Sequence, residues 1–305
     1  MEIGAFELSY EGPQLENVTV FASLRPWVDV GRVGTLTLKK LEKYLGATEI
    51  GRLSRPGKFF DFTRERPQTS MVNGRRVLAK PNTIINHARE ESTGRDFLFL
   101  HIIEPHMFGE DYSEAIVQVL EYYKVSEYCR IGSMWDSVPH TRPLMVTGTL
   151  NELYEEKMSG IVEVSKKSYE GPTSIVNLVG DTLSDSGVQT SSLMLHIPHY
   201  VQLDEDYKGV SKMIEVLGSI YDFPHSLAET GRGDQQYQEI TRAVEENPSV
   251  KQLVKQLEAE YDRGQINSDD NTILDPNLPP EVENFLNEMG QRFEEGSADS
   301  EETLK

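Results

Sequence analysis

The 305-residue sequence predicts an α/β fold: a three-layer αβα sandwich with a largely parallel central sheet and a C-terminal helical extension. Three observations predict it. Short apolar, β-rich runs alternate with helix-spaced segments from Val18 to Tyr221, the order of an α/β sheet. The clearest of the runs, Asp96–Ile103, reads as a buried strand followed at once by a proline turn. After Pro224 the β-rich runs stop and charge-rich helical patterns take over.

Taken in order, Val18–Leu24 is a buried strand, and Arg25–Gly34 is a loop holding two glycines. Thr35–Leu45 has helical spacing, with Leu36, Leu41 and Leu45 near one face and Lys39, Lys40 and Lys43 largely away from it. Thr48–Leu53 is a second strand, so the chain opens as strand–loop–helix–strand. Phe59–Phe62 and Arg75–Lys80 are β-like. The Asn73-Gly74 pair between them signals a hairpin, which would add an antiparallel part to the sheet. Asp96–Ile103 is ended by Glu104-Pro105, and Tyr112–Tyr123 is an amphipathic helix. Strands follow at Tyr128–Ser133 and Leu144–Thr149, on either side of the loop Asp136–Pro143. A short helix covers Glu152–Lys157. The loop Tyr169–Thr173 precedes a helix over Ser174–Ser186, with Gly171 able to cap it and Pro172 at its first position, where a missing N–H is harmless. Thr190–Ile197 is a strand ended by Pro198-His199-Tyr200, and Lys208–Tyr221 is a helix. Beyond Pro224, Leu227–Glu246 and Ser249–Arg263 are amphipathic helices, residues 265–280 a polar linker, and Glu281–Phe293 a last short helix. The expected organisation is therefore a core over residues 1–225, a helical extension over 226–293 and an acidic, disordered tail over 294–305.

The formal net charge of −20 argues against nucleic acid and against anionic membranes as partners, since both need clustered Lys and Arg. No stretch approaches the roughly 18 apolar residues that a membrane helix requires. The first residues lack the basic and apolar regions of a signal peptide. A single cysteine, Cys129, excludes an intramolecular disulfide. These features predict a cytoplasmic protein.

Four loops stand at strand ends or helix starts, where open α/β sheets bind ligands. In Arg25–Gly34 the glycines permit close approach of a ligand, the next helix offers free N–H groups, and Arg25 and Arg32 add charge. The loop is also what a tight strand-to-helix turn would be, and it matches neither nucleotide-binding glycine pattern. His101, Glu104 and His106 are metal-ligand types, but strand periodicity puts Ile103, not Glu104, on the face of His101, and no metal is assigned. In Val138-Pro139-His140-Thr141-Arg142-Pro143 two prolines stiffen a loop that presents an imidazole and a guanidinium. Arg142 could grip a carboxylate or phosphate of a ligand, or Arg142 and His140 could hold a carboxylate of a neighbouring loop or subunit. Glu170 and His199 could act as an acid–base pair if the fold joins them, or they could belong to a helix cap and a strand terminator. No Ser lies in G-x-S-x-G, and Cys129 sits inside an apolar run as a small hydrophobe. No catalytic residue and no cofactor is assigned.

The succession of these loops is recognisable. Trp27, Asp29 and Gly31 follow the first strand. Glu104-Pro105, VPHTRP at Val138–Pro143, YEGPT at Tyr169–Thr173, PHYV at Pro198–Val201 and LPPEVENFL at Leu278–Leu286 come in order. Over about Val18 to Leu286 the chain resembles the proteasome-assembly-chaperone family, in its bacterial branch, which also carries the label ATP-grasp superfamily. The resemblance implies a nucleoside-phosphorylase-like three-layer fold and a homo-oligomer. Its eukaryotic and archaeal members are chaperones that help assemble proteasome α-subunits, which implies a protein client, proteasome-related where a proteasome exists. Arg25, Asp29, Gly31, Glu104, His140, Arg142, Glu170, Gly171, Thr173 and His199 of these loops are the candidate ligand-binding or subunit-contact set. The sequence favours a non-enzymatic assembly or scaffold protein. The alternative is an enzyme or sensor that uses the same loops to hold an anionic or nucleoside-like ligand.

Overall fold

The computed structural model describes residues 1–9, 15–164 and 173–263. Its strands are β1 (Glu2–Ile3), β2 (Phe6–Leu8), β3 (Val18–Arg25), β4 (Thr48–Leu53), β5 (Gln68–Val72), β6 (Arg75–Ala79), β7 (Ile84–Arg89), β8 (Asp96–Ile103), β9 (Val125–Asp136), β10 (Val146–Thr149), β11 (Glu163–Val164) and β12 (Gln189–Pro198). Its helices are α1 (Val33–Leu45), α2 (Gly109–Tyr122), α3 (Glu152–Glu155), α4 (Ile175–Asp185), α5 (Tyr207–Tyr221), α6 (Gly231–Glu246) and α7 (Pro248–Asp262). The chain is an α/β protein built on one ten-stranded sheet in the order β1-β2-β4-β7-β8-β3-β9-β12-β10-β11.

That sheet is mixed, which corrects the expectation of a largely parallel one. Its centre is parallel: β3 pairs with β8 and β9, and β9 with β12. Its flanks are antiparallel, through β1, β2, β4 and β7 on one side and β10 on the other. The central strands are buried on both faces, β3 from Val18 to Leu24 and β8 at every residue but His101. Strands covered on both sides need apolar residues throughout, which is why these two read so clearly. One apolar cluster joins the sheet to α1, α5, α6 and α7, through Phe21, Leu38, Leu217, Ile240 and Val254. A second joins the other face to α2 and α4, through Val20, Leu98, Tyr112, Leu120 and Val179. The C-terminal helices α6 and α7 thus pack on the sheet domain, burying Tyr237, Ile240, Val250 and Leu257.

Phe59–Phe62 is not a strand. Pro56–Lys58 is a 3-10 turn, and Phe59 and Phe60 are both buried, their rings 5.2 and 6.0 Å from that of Tyr112. Pro56-Gly57 breaks the chain direction, and the Phe59 and Phe60 N–H groups both turn back to the Pro56 carbonyl (3.0 and 2.9 Å) rather than to a neighbouring strand. The Asn-Gly hairpin exists, but its first strand is β5. Asn73 (φ 49°) and Gly74 (φ 74°) form its two-residue turn with both φ angles positive, as the right-handed twist of the flanking strands demands. It makes a separate two-stranded sheet, and every residue of both strands is exposed. Cross-strand pairs explain this. Thr69 with Leu78 and Met71 with Arg76 share one face, and Ser70 with Val77 and Val72 with Arg75 the other. Each face mixes apolar with polar or charged residues, and neither packs on the rest of the described chain. The expected helix over Glu281–Phe293 and the tail lie outside the described residues.

Candidate functional site

The carboxyl ends of β8, β3, β9 and β12 form one edge, and most of the singled-out residues stand there. Arg25 closes β3 and is exposed. Past a cis Arg25–Pro26 bond and the exposed Trp27, Asp29 turns inward. Its Oδ1 accepts the Thr35 N–H (3.0 Å) and its Oδ2 the Thr35 hydroxyl (2.6 Å), tying the loop to the first turn of α1. Burial raises the Asp29 carboxyl above its ordinary value, against those two bonds. Gly31 has φ 57°, and a Cβ there would lie 2.8 Å from the Cβ of Asp206. Its carbonyl accepts the Asp206 N–H at 2.8 Å. The glycine therefore admits the protein's own backbone. Asp206 in turn caps α5 by accepting the Gly209 N–H (2.8 Å) and takes the Tyr237 hydroxyl of α6 (2.9 Å).

Glu104 follows β8, half-buried, and burial raises its carboxyl while a bond from the Ile175 N–H opposes that. The start of α4, next to Thr173, thus already has a carboxylate of the chain at its first N–H. Glu170 and Gly171 lie outside the described residues. His101 and His106 part company: His101 bonds Glu42 (2.6 Å) and His106 accepts the Asp61 N–H (3.0 Å).

The two Pro-His loops meet. The Tyr200 hydroxyl accepts the His140 backbone N–H (2.7 Å) and donates to His140 Nδ1 (2.8 Å). This leaves Nε2–H to donate to the Thr241 hydroxyl of α6 (3.2 Å), so the network assigns a neutral imidazole with its proton on Nε2. His140 is 4% exposed, and burial, with Lys208 adding and Glu258 opposing, pushes its pKa down to about 4. One residue on, the Thr141 hydroxyl donates to Glu258 of α7 (2.5 Å). Arg142 makes the fork to Asp262, Nε to Oδ1 at 2.8 Å and Nη2 to Oδ2 at 2.7 Å, and reaches Glu258 at 3.1 Å. That pairing raises Arg142 and lowers Asp262. His199 turns back on its own strand end, its Nδ1–H donating to the Asp136 carbonyl (3.1 Å), and burial lowers its pKa.

A further arrangement escaped the sequence reading. His196 of β12 donates Nδ1–H to Asp136 Oδ2 (2.6 Å), and its Nε2 meets the Thr147 hydroxyl of β10 at 2.8 Å. The hydroxyl–imidazole–carboxylate chain spans β10, β12 and β9. Burial works to raise Asp136, but His196 and the Ser137 N–H outweigh it, and the carboxyl lies below its ordinary value. The available signal was register: His196 shares its face of β12 with Ser192 and Met194, beside the end of β9 where Asp136 stands. Among the described residues no group of three or more His, Cys, Asp or Glu is placed to hold a metal ion, and no helix is long and apolar enough to cross a membrane.

The rest of the edge is apolar and open. Trp27 (68% exposed) after β3, Met107 and Phe108 after β8, and Met134 and Trp135 at the end of β9 are all exposed, and these three strands are neighbours.

A model of the PAC2 family matches residues 23–247. No curated protein matches the chain. Among solved structures, the chain is similar to a protein of unknown function from Corynebacterium glutamicum ATCC 13032, with 22% identity, a TM-score of 0.73 and 85% of this chain covering 97% of that one. It is similar to a proteasome-assembly chaperone homologue of Mycobacterium tuberculosis, with 23% identity, a TM-score of 0.67, and 78% and 99% coverage. It is also similar to Pyrococcus furiosus PbaB, an archaeal proteasome activator, with 19% identity, a TM-score of 0.59, and 80% and 100% coverage. At such identities the likeness is one of fold.

Proposed function

The chain belongs to the PAC2 family, and from that premise we propose a non-enzymatic assembly or scaffold protein that forms homo-oligomers and takes a proteasome-related protein as client. One observation carries the reading: most polar groups of the strand-end edge bond within the chain, Arg25 and the Oε2 of Glu104 excepted, while its large apolar side chains stand exposed. Asp29, Glu104, His140 and Arg142 bond to α1, α4, α6 and α7. Trp27, Phe108 and Trp135 face solvent, and exposed aromatic side chains on one edge suit a protein partner. A chaperone homologue and a proteasome activator among the similar structures support the choice of client. The proposal includes the finer architecture: a three-layer, nucleoside-phosphorylase-like core over residues 1–225, a helical extension over 226–293 and an acidic tail over 294–305, in the cytoplasm. The test is to mix the purified chain with proteasome α-subunits and measure masses by light scattering after gel filtration. A new species of summed mass, lost in Trp27→Ser/Phe108→Ser, is expected; unchanged masses would remove the client from the proposal.

The Thr147–His196–Asp136 chain supports a second reading, a small-ligand enzyme or sensor with Arg25 as the anion contact. Native-state binding raises the melting temperature. Phosphate, nucleosides and nucleotides that leave it unmoved, or that move wild type and Arg25→Ala alike, would dismiss this reading.

A further inference from the structure

The β5–β6 hairpin is an arm without a body to rest on. Its strands pair with each other alone, and all their residues are exposed. Met71 is 67% and Leu78 57% exposed on one face, and Val72 and Val77 are exposed on the other. A lone two-stranded hairpin is marginal in water, and four open apolar side chains add to the demand for a covering surface. The arm is also the basic part of an acidic chain. From residue 64 to residue 80 it carries Arg64, Arg66, Arg75, Arg76 and Lys80 against Glu65, whereas the whole chain has a net charge of −20.

The same molecule offers a surface of opposite sign. An open groove of about 520 Å³ runs beside β1, β2 and β4. Glu2, Glu7 and Glu49 line it, with Leu8 and Gly51 at its floor. Arg52 is already paired to Glu49, and the Met1 ammonium donates to the Leu8 carbonyl (2.9 Å), so Glu2 and Glu7 outweigh that single ammonium and leave the groove negative.

We infer that the hairpin is an assembly arm that seats on this acidic groove of a second copy of the chain. Arg76, on the face of Met71 and Leu78, meets the glutamates as that face is covered, and Arg75 on the opposite face adds to the positive charge of the arm. Opposite charge selects the partner and speeds the encounter, and apolar burial holds it. The inference rests on the homo-oligomer reading given above and names its contact.

The test uses the full chain and four samples: wild type, the arm variant Arg75→Glu/Arg76→Glu, the apolar arm variant Met71→Ser/Leu78→Ser, and the groove variant Glu2→Lys/Glu7→Lys. All substituted residues are exposed, so melting temperatures report whether each variant is folded. Mass is read by sedimentation across a concentration series at low and high salt. Wild type is expected to assemble, and less so at high salt. Each variant is expected to dissociate at least ~tenfold more readily. An equimolar mixture of the two charge-reversed variants is expected to regain mass that neither reaches alone. Folded arm variants with wild-type masses would overturn the inference and leave the homo-oligomer standing. A wild type that stays monomeric throughout would overturn both. Masses that fall in the arm variant but stay low in the mixture would overturn the groove as its seat. A short DNA duplex retained by wild type and released by the arm variant would reassign the arm to nucleic acid.

Discussion

Acid should loosen this protein through one imidazole. His140 has a pKa of about 4 in the folded chain, against about 6.5 in an unfolded one. As pH falls below the unfolded value, the unfolded chain takes up a proton at this position that the folded chain refuses, so protons favour unfolding. Linkage puts the loss at about 2 kcal/mol between pH 7.5 and pH 5, and at roughly 3 kcal/mol by pH 4, where the folded imidazole begins to titrate. Carboxylates and His199 also respond to pH, so wild type must be compared with His140→Gln, which cannot titrate there. Urea unfolding of both proteins at pH 7.5 and pH 5 supplies four stabilities. Whatever the substitution itself costs is common to both pH values and cancels. Wild type should lose about 2 kcal/mol more than the variant over that interval. Equal losses, to within the roughly 0.5 kcal/mol scatter of independent sites, would refute the burial of a neutral imidazole between Tyr200 and Thr241.

Three further outcomes follow from contacts described above. Tyr200→Phe leaves both the N–H and Nδ1 of His140 unpaired in the interior and should cost about 2–4 kcal/mol in urea unfolding; a change below that would mean the junction is wet. Gly31→Ala forces a side chain to φ 57° and to 2.8 Å from Asp206, and should lower stability by at least about 1 kcal/mol in thermal melts. Cys129 is buried, with its thiol pushed up to about 12 by that burial; a thiol reagent should therefore label it at the rate of unfolding and not before.

The sequence disclosed the middle of the molecule better than its margins. β3, β8 and α5 carry dense apolar patterns because both faces of the central strands, or one full stripe of the helix, are buried. β7 was missed because its polar residues are satisfied sideways: Asn86 donates to Glu42 and His87 pairs with Asp96, which no hydropathy pattern reveals. β1 and β11 have two residues each, too few for any period. At the site, the strand-end loops were legible from their prolines and glycines. Their partners were not: Arg142 finds Asp262 and His140 finds Thr241 across more than a hundred residues, and only the packing of α6 and α7 brings them together. His196 was hidden inside an apolar strand that needed no histidine to be recognised.

The sheet order also fixes a sequence of events during synthesis. β3 is the earliest strand of the parallel centre, yet Thr19 pairs with Phe97 and Phe21 with Cys129. At roughly 5–20 residues per second, a ribosome leaves β3 with neither neighbour for several seconds, an apolar strand with two open edges. β4 and β7 are close at hand, but they belong at the antiparallel flank and cannot shield it. The nascent chain is thus most prone to aggregation before β8 emerges. This protein should gain from a holdase acting before β8 emerges, and little from one acting after β12 has joined β9.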